Sequence, residues 1–249
     1  MSLDQATNTE ASLFTGPVAP GDAAWVLGLL QAGDTFYPTG SYAHSFGLEG
    51  LVQDGVVHDR ATLHEHLFRS VLPSLRQAEL PLGRHAWLAL GGPDWDQVGE
   101  LCLLSSALRA SREIRRAHDD IGRQRAELLA RLRPQALGEE YLRRARLAGW
   151  PFSMAVSAAL EGRVLGAPCA AVLAGMYYSA VAASVAAAMK ILRLGQNGAQ
   201  SLLTEALAAA PEILAAAELV PCGEIGWFNP WLDIAAARHE TADSRMFIS

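Results

Sequence analysis

The feature that most constrains this chain is a stretch of 26 residues, from Val164 to Met189, that contains no charged side chain. Such a stretch is long enough to cross a bilayer as a helix. Ten of its residues are alanine, and it lacks both the aromatic belts and the flanking charge clusters of a membrane span. The composition therefore predicts the buried central helix of a larger bundle, with no membrane association.

The rest of the chain carries helix signals and almost no strand signal. Residues 62–65, Thr-Leu-His-Glu, have the form of a capping box, and Asp94 can cap a later helix. Pro73 and Pro81 are expected to kink or divide one helix, and Gly122 is expected to loosen another. First-turn prolines open three further helices, at Pro151, Pro168 and Pro230. We predict an all-α, single-domain bundle of about eight to ten helices.

Charge and cysteine content exclude several classes of function. The formal net charge of −6 opposes binding to nucleic acid, which requires a concentrated positive field. The three cysteines are far apart and odd in number, which indicates a reducing compartment and a cytoplasmic protein. Lys190 is the only lysine and its neighbours do not form a GxxxxGK[ST] loop, so the chain does not hydrolyse GTP or ATP by a P-loop.

Three histidines lie close together in the sequence and are candidate metal ligands. They are His58, His64 and His66. Side chains two residues apart point to opposite sides of a helix, whereas chelation requires a spacing of three or four residues. We therefore interpret these histidines as solvated or capping residues, and we expect no metal ligand among them.

Asp119 and Asp120 resemble the aspartate-rich motif by which helical isoprenoid synthases hold magnesium diphosphate. The third carboxylate at helical spacing is missing, and there is no second motif of this kind. We interpret the two aspartates as members of i,i+4 ion pairs with Arg116 and Arg123. A magnesium-dependent helical enzyme is the alternative function.

A basic stretch from Arg109 to Arg146 contains 11 arginines and 6 acidic residues, a local net charge of +5 within an acidic protein. This asymmetry fits a docking surface for an acidic partner. A solvated helix face produces the same pattern, so both interpretations stay open.

The most informative stretch, residues 34–49, reads DTFYPTGSYAHSFGLE. Residues 38–40, Pro-Thr-Gly, force a turn between helices, and Tyr42 and Phe46 then place aromatic rings at the start of the next helix. The His-Ser pair between the two rings is adjacent in sequence, so the two side chains do not face each other, which opposes nucleophilic catalysis. A fixed, aromatic-rich loop is typical of protein interfaces.

This stretch, a dipeptide before it and two later segments resemble the UreF family of urease accessory proteins. The similar segments are residues 30–31 (LQ), 38–49 (PTGSYAHSFGLE), 194–200 (LGQNGAQ) and 244–249 (SRMFIS). Two departures stand out. The family usually reads Arg-Leu-x-Pro-Leu-Gly-Gln where this chain has Lys190-Ile-Leu-Arg-Leu-Gly-Gln, and Met246 and Ile248 replace the commoner leucine and arginine of the tail.

The resemblance implies a set of interface residues and no catalytic, cofactor-binding or metal-binding residue. The candidate partner or dimer interface consists of Pro38, Gly40, Ser41, Tyr42, His44, Phe46, Gly47, Glu49, Lys190, Arg193, Gly195, Gln196, Gln200, Ser244, Arg245, Met246, Phe247 and Ser249.

The resemblance further implies an all-helical homodimer that is a maturation scaffold and chaperone, not an enzyme. It implies binding to UreD, also called UreH, recruitment of the GTPase UreG, and action on the urease apoprotein, into which nickel is inserted. Nickel and GTP are expected to be handled by these partners, with no cofactor bound directly.

We expect the chain to be divided into three parts. These are a flexible lead-in (1–22), an all-helical domain (23–238) and a partner-docking tail (239–249). The resemblance implies that the tail becomes ordered on UreD. A short polar segment with two apolar anchors, Met246 and Phe247, cannot fold alone but can dock.

Overall fold

In a computed structural model of the chain, the described residues are 20–240, 242 and 244–248. Within these ranges the secondary structure is helical, with no β-strand. The prediction of an all-α bundle is therefore confirmed. Most of the predicted lead-in, residues 1–22, lies outside the described residues, as does Ser249 of the predicted interface.

The helices follow one another with short connections. The α-helices are α1 (Pro20–Gly33), α2 (Leu48–Gln53), α3 (Arg60–His66), α4 (Leu72–Ser74), α5 (Leu80–Ala89), α6 (Trp95–Ala107), α7 (Arg112–Leu132), α8 (Ala136–Ala148), α9 (Met154–Leu165), α10 (Cys169–Ile191), α11 (Gln196–Ala208), α12 (Ala210–Glu218) and α13 (Pro230–His239). Two short 3₁₀-helices lie at Ser41–Ala43 and Cys222–Glu224.

The helices α3, α4 and α5 form one continuous rod. π-Helical turns at Leu67–Val71 and Leu75–Glu79 join them. Each turn closes with a backbone hydrogen bond to the carbonyl five residues earlier, and its donor is the residue just before Pro73 or Pro81. Because proline has no N–H, this shift of register lets the helix continue. The prolines therefore do not divide the rod as the sequence suggested.

The cap of this rod also differs from the predicted one. Asp59 is the N-cap residue, its carboxylate accepts from the Thr62 N–H at 2.8 Å, and the Thr62 hydroxyl interacts with the Asp59 backbone. Thr62 is therefore the N3 residue of a capping box rather than its N-cap residue.

The centre of the bundle is α9, whose residues are nearly all buried. Helices α1, α5, α6, α7, α8 and α10 pack around it. The Ala-rich helix is α10, which is buried through Leu173, Tyr177 and Val181, whereas Tyr178 on its other side is 45% exposed. Among the described helices, only α10 is long and apolar enough to cross a membrane by length and composition. The predicted Ala-rich helix thus forms, but the prediction that it is the buried central helix is wrong, because α9 occupies the centre and α10 has one side at the surface.

Helices α7 and α9 lie close together at Gly122. A Cβ at Gly122 would lie 2.7 to 2.9 Å from backbone atoms of Ser153, the N-cap residue of α9. Helix α7 continues through this glycine without a break. Gly122 therefore provides the space for α9 and does not loosen the chain.

Substituting Gly122→Ala is expected to destabilise the fold by about 1 to 3 kcal/mol, because a backbone contact cannot move aside as a flexible side chain can. Urea unfolding measures the change. Gly138→Ala is the matched control, since a Cβ at Gly138 of α8 meets nothing within 4 Å and helical alanine stabilises by about 0.4 to 1 kcal/mol. Equal stability of the two variants would contradict the close approach of α7 and α9.

Candidate protein-interaction site

The loop that joins α1 to α2, residues 34–47, is called here the motif loop. Its backbone enters the left-handed region at Gly40 (φ +80°) and at Gly47 (φ +89°), which glycine tolerates. Phe46 also has a positive φ of 51°, which is unusual for a bulky residue and persists only where the surroundings hold it. The loop therefore has a fixed conformation, as the sequence predicted.

A buried carboxylate holds the first half of the motif loop. The Tyr37 hydroxyl donates to Glu161 Oε1 at 2.6 Å, and Arg125 Nε donates to Glu161 Oε2 at 2.7 Å. The Glu161 side chain is fully buried in α9. Burial and the neighbouring carboxylate together raise the pKa of Tyr37, so this phenol stays a neutral donor. The turn at residues 38–40 follows directly from this anchor.

Helix α2 packs closely on α13. A Cβ at Gly50 would lie 2.6 Å from the carbonyl oxygen of Ala235, so only glycine allows the two backbones to come this near. The approach places Glu49 of α2 beside His239, the last residue of α13. The Glu49 side chain is 7% exposed and the His239 side chain is 1% exposed.

The C-terminal tail, residues 244–248, lies across α2 and the motif loop. Glu49 Oε1 accepts from the Met246 N–H at 2.8 Å, and Glu49 Oε2 accepts from the Phe247 N–H at 2.9 Å. The Ile248 N–H donates to the carbonyl of Ala43 at 2.8 Å. Phe247 is buried in an apolar cluster, whereas its two neighbours are exposed. The tail is therefore docked on its own chain.

The His239 ring joins the tail to α7. Its Nε2 lies 2.9 Å from Glu49 Oε2, and its Nδ1 lies 3.1 Å from Glu113 Oε2. The other oxygen of Glu113 accepts from Arg245 Nη1 at 3.0 Å. Burial alone would raise the pKa of Glu49, but hydrogen bonds from Met246, His239 and Phe247 outweigh it and lower this pKa. Glu49 is therefore an ionised carboxylate in the folded chain.

Lys190, near the end of α10, contacts both the motif loop and the tail. Its ammonium group donates to the Tyr42 carbonyl at 3.1 Å and lies 3.1 Å from the centroid of the Tyr42 ring. The Phe247 ring centroid is 4.8 Å from the same nitrogen. A cation between two aromatic faces stabilises both of them by cation–π attraction.

The structure divides the predicted interface residues into internal and external ones. Gly47, Glu49 and Phe247 are buried, so in this conformation they act inside the chain and do not face a partner. His44 and Phe46 are half-buried, and burial lowers the pKa of His44. The exposed members are Pro38, Gly40, Tyr42, Arg193, Gly195, Gln196, Gln200, Ser244, Arg245 and Met246, while Ser41 and Lys190 are half-buried.

The segment from Arg193 to Gln200 lies near the motif loop through a shared core. Leu192 and Leu194 pack against the same apolar cluster that holds Leu48 and Phe247. Two of the predicted sequence segments and the tail therefore meet at one end of the bundle.

The aspartates considered for magnesium have structural partners. Asp119 Oδ1 accepts from the Phe152 N–H at 2.5 Å, and Asp120 pairs with Arg123 at 2.5 Å. The predicted i,i+4 pairs were wrong in register, because α7 directs Asp119 toward the start of α9 and leaves Asp120 at the i,i+3 position. Within the described residues, no cluster of three or more metal-ligating side chains occurs.

The three histidines near α3 are also separated by their surroundings. His64 stacks on Phe68, with ring centroids 4.2 Å apart, and His58 interacts with the Gly55 carbonyl at 3.2 Å. Burial lowers the pKa of His66 to about 4. His58 and His64 are exposed, as expected for solvated residues, whereas His66 is buried, so the interpretation of all three as solvated or capping residues is wrong for His66.

Most arginines of the basic stretch are paired with carboxylates. The pairs are Arg109–Glu79, Arg112–Glu240, Arg123–Asp120, Arg125–Glu161, Arg143–Glu140, Arg144–Glu140 and Arg146–Glu127. Several of these carboxylates lie outside the stretch, so the local charge is largely compensated. This favours a solvated helix face over a docking surface for an acidic partner.

Comparison of the sequence with known proteins identifies the family of this chain. A family model described as UreF matches residues 57–207. A urease accessory protein UreF from Methylibium petroleiphilum is 32% identical over 235 residues, which cover 94% of this chain and 98% of the relative. This chain belongs to the UreF family. A Paenarthrobacter aurescens UreF is 29% identical over 227 residues, and a Brucella canis UreF 2 is 29% identical over 255.

Membership of the UreF family confirms the resemblance seen in the sequence. The chain is an accessory protein of urease maturation and not an enzyme, so the isoprenoid-synthase alternative is wrong. The UreF family model begins at residue 57, after the motif loop. The Brucella canis relative aligns over the whole chain, motif loop and tail included.

Sequence reasoning missed His239, Glu113, Glu161 and Arg125, which hold the site together. Their partners lie between 36 and 190 residues away in the chain, so no local spacing connects them. A usable signal was the position of Glu161, which follows seven uncharged residues at the start of α9. An isolated carboxylate in such a helix indicates a buried partner.

Acid is expected to release the tail. Because the folded-state pKa of Glu49 is lowered, its bonds to the tail contribute stability above the ordinary carboxyl pKa and lose it as pH falls through the lowered value. Amide hydrogen exchange of residues 244–248, followed from neutrality to about pH 3, measures this. We expect the protection of these amides to be lost in acid and to be weak at every pH in Glu49→Gln. Wild-type protection that does not change in acid would contradict the role of the ionised Glu49 carboxylate in holding the tail.

Proposed function

We propose that this UreF-family chain is a scaffold and chaperone that bridges UreD (UreH) and the GTPase UreG and regulates GTP-linked nickel insertion into apo-urease. The observation that carries the proposal is a surface formed jointly by the motif loop and the tail. Tyr42 is 60% exposed, and Met246 and Ile248 are each 62% exposed. Exposed apolar side chains on a fixed backbone are typical of protein-binding surfaces.

The surface of Tyr42, Met246 and Ile248 is called here the composite surface. Its members come from segments about 200 residues apart in the chain, yet the Ile248–Ala43 hydrogen bond and the Lys190 ammonium group hold them side by side. Glu49 fixes the tail from beneath. Three apolar side chains held in this way bind a partner without first ordering the loop, which reduces the entropic cost of association.

The scaffold role assigns the chemistry to the partners. The sequence has a single lysine and no P-loop, so GTP belongs to UreG in this proposal. Nickel passes to urease without a cofactor bound directly to this chain. The partners are UreD, UreG and apo-urease in the cytoplasm, and neither nucleic acid nor a membrane takes part.

A second apolar face supports a homodimer. Leu27 and Leu30 of α1 are 65% and 66% exposed, and Phe36 is 88% exposed. Helix α10 lies beside α1, since a Cβ at Gly33 would be 3.8 Å from the Ser179 hydroxyl. We propose that a second copy covers this face, in addition to the composite surface that serves the other partners.

Co-purification with cognate UreD and UreG tests the scaffold role. The double variant Met246→Ser/Ile248→Ser removes the exposed apolar contacts of the tail but keeps Phe247 and the backbone anchors. We expect it to lose most of the UreD capture, since central apolar contacts carry about 2 kcal/mol or more each in protein interfaces.

The matched control for this experiment is Leu147→Ser, because Leu147 is 74% exposed on α8, outside the composite surface. It should capture UreD as the wild type does. Thermal unfolding shows whether each variant is folded. Undiminished capture by a folded double variant would refute the composite surface as the UreD site.

A further inference from the structure

We propose that His239 is a positioning residue whose positive charge keeps the C-terminal tail seated on the motif loop. The ring stands between two carboxylates, with Nε2 at 2.9 Å from Glu49 and Nδ1 at 3.1 Å from Glu113. Its side chain is 1% exposed, and the two carboxylates are 7% and 12% exposed. Water therefore has little access to any of the three groups.

The hydrogen-bond pattern determines the protonation of the ring. Glu49 accepts from two tail amides with its two oxygens, and Glu113 accepts from Arg245, so both side chains act as acceptors. A neutral imidazole has one N–H, and its other nitrogen would direct a lone pair at a carboxylate oxygen. Only the imidazolium form donates to Glu49 and Glu113 together. His239 is thus a cation with two charge-assisted hydrogen bonds.

The proton on His239 links the two anchors of the tail. Glu49 holds the tail backbone at Met246 and Phe247, and Glu113 holds the Arg245 side chain. The two carboxylates, the imidazolium and the guanidinium sum to zero charge. If the ring loses its proton, two carboxylates remain close together in a buried site, and breaking a buried pair in this way is strongly destabilising. Release of the tail lets water reach both carboxylates.

Other charged groups around His239 are already paired among themselves. On α2, Asp54 pairs with Arg238 of α13. On α7, Arg112 pairs with Glu240 just after α13. Lys190 of α10 is engaged with Tyr42 and Phe247. His44 of the motif loop interacts electrostatically with Glu113, and burial lowers the pKa of His44. The charged group that holds the tail therefore consists of Glu49, His239, Glu113 and Arg245.

The direction in which tail docking changes with pH follows from this charge balance. Tail docking needs the imidazolium, so docking is strong while the ring is protonated and weakens as pH rises and the proton leaves. With one proton linked to docking, the equilibrium changes by up to about tenfold per pH unit in the range where the ring deprotonates. A histidine that only fills space would give no such slope.

Hydrogen exchange of the full-length chain tests the proposal. The protection factor of the amides in residues 244–248 is measured from about pH 6 to about pH 9, in the wild type and in His239→Gln. Glutamine keeps a donor but carries no charge. We expect wild-type protection to fall as pH rises, and protection in His239→Gln to be weaker and nearly independent of pH.

His58→Gln is the matched control, because His58 lies at the surface near α3, away from the tail, with a side chain that is 61% exposed. It should keep the wild-type slope. Nitrogen NMR of the His239 ring at neutral pH gives a second reading that does not depend on whether a variant folds. A neutral ring, a flat wild-type profile, or equal slopes in wild type and His239→Gln would each overturn the proposal.

The consequence for partner capture rests on the proposed function, whereas tail docking does not. UreD capture measured over the same pH range separates the two. UreD capture that falls together with tail protection supports both the role of His239 and the composite surface as the UreD site. Tail protection that falls while capture stays constant supports the role of His239 and refutes the composite surface.

Discussion

The buried carboxylate of Glu49 is the interaction on which the functional end of this molecule depends. A carboxylate removed from water is costly unless each of its oxygens finds donors, and here the donors come from the tail backbone and the His239 ring. The two backbone donors belong to the tail and the ring belongs to α13. Satisfying one side chain therefore brings α2, α13 and the tail together, and His239 extends the contact to α7.

A second buried carboxylate, Glu161, holds the other end of the motif loop through Tyr37. The loop is thus fixed at its beginning by α9 and near its end by α2. Between these anchors, Phe46 keeps an unfavourable positive φ, which packing against the His118 ring at 5.2 Å helps to maintain. Buried polar networks of this kind favour one loop conformation over others more than they add stability. A scaffold needs that property, since its partners must find a formed surface.

The sequence predicted the helices well because their signals are local. Asp94 and Asn229 cap α6 and α13 as their positions indicated, and the charge-free alanine stretch forms α10. The motif loop was also located, because glycine and proline spacing reports backbone conformation directly. Local signals failed at Pro73 and Gly122, where a π-turn and a close helix approach decide the outcome. Both depend on the neighbouring chain and not on the residue alone.

The hydrogen bonds and ion pairs inside the site could not be predicted from the sequence. Glu49 was assigned to an interface, whereas the structure places it inside the chain as the support of the tail. His239 and Glu113 lie 126 residues apart, and only the packing of α13 against α7 and α2 brings them together. Exposed and buried members of one sequence motif are thus distinguished by tertiary structure alone.

A double-mutant cycle between Glu49→Gln and Arg245→Gln tests most directly whether α2 and the tail are held by one coupled group of charges. The structure shows no direct bond between these two side chains, and they are linked through His239 and Glu113. If the group acts as one unit, the free energies of unfolding of the single variants will not add, with an interaction energy of about 0.5 to 3 kcal/mol. Additivity within about 0.5 kcal/mol would show that Glu49 and Arg245 act independently, and would contradict a single coupled group at this site.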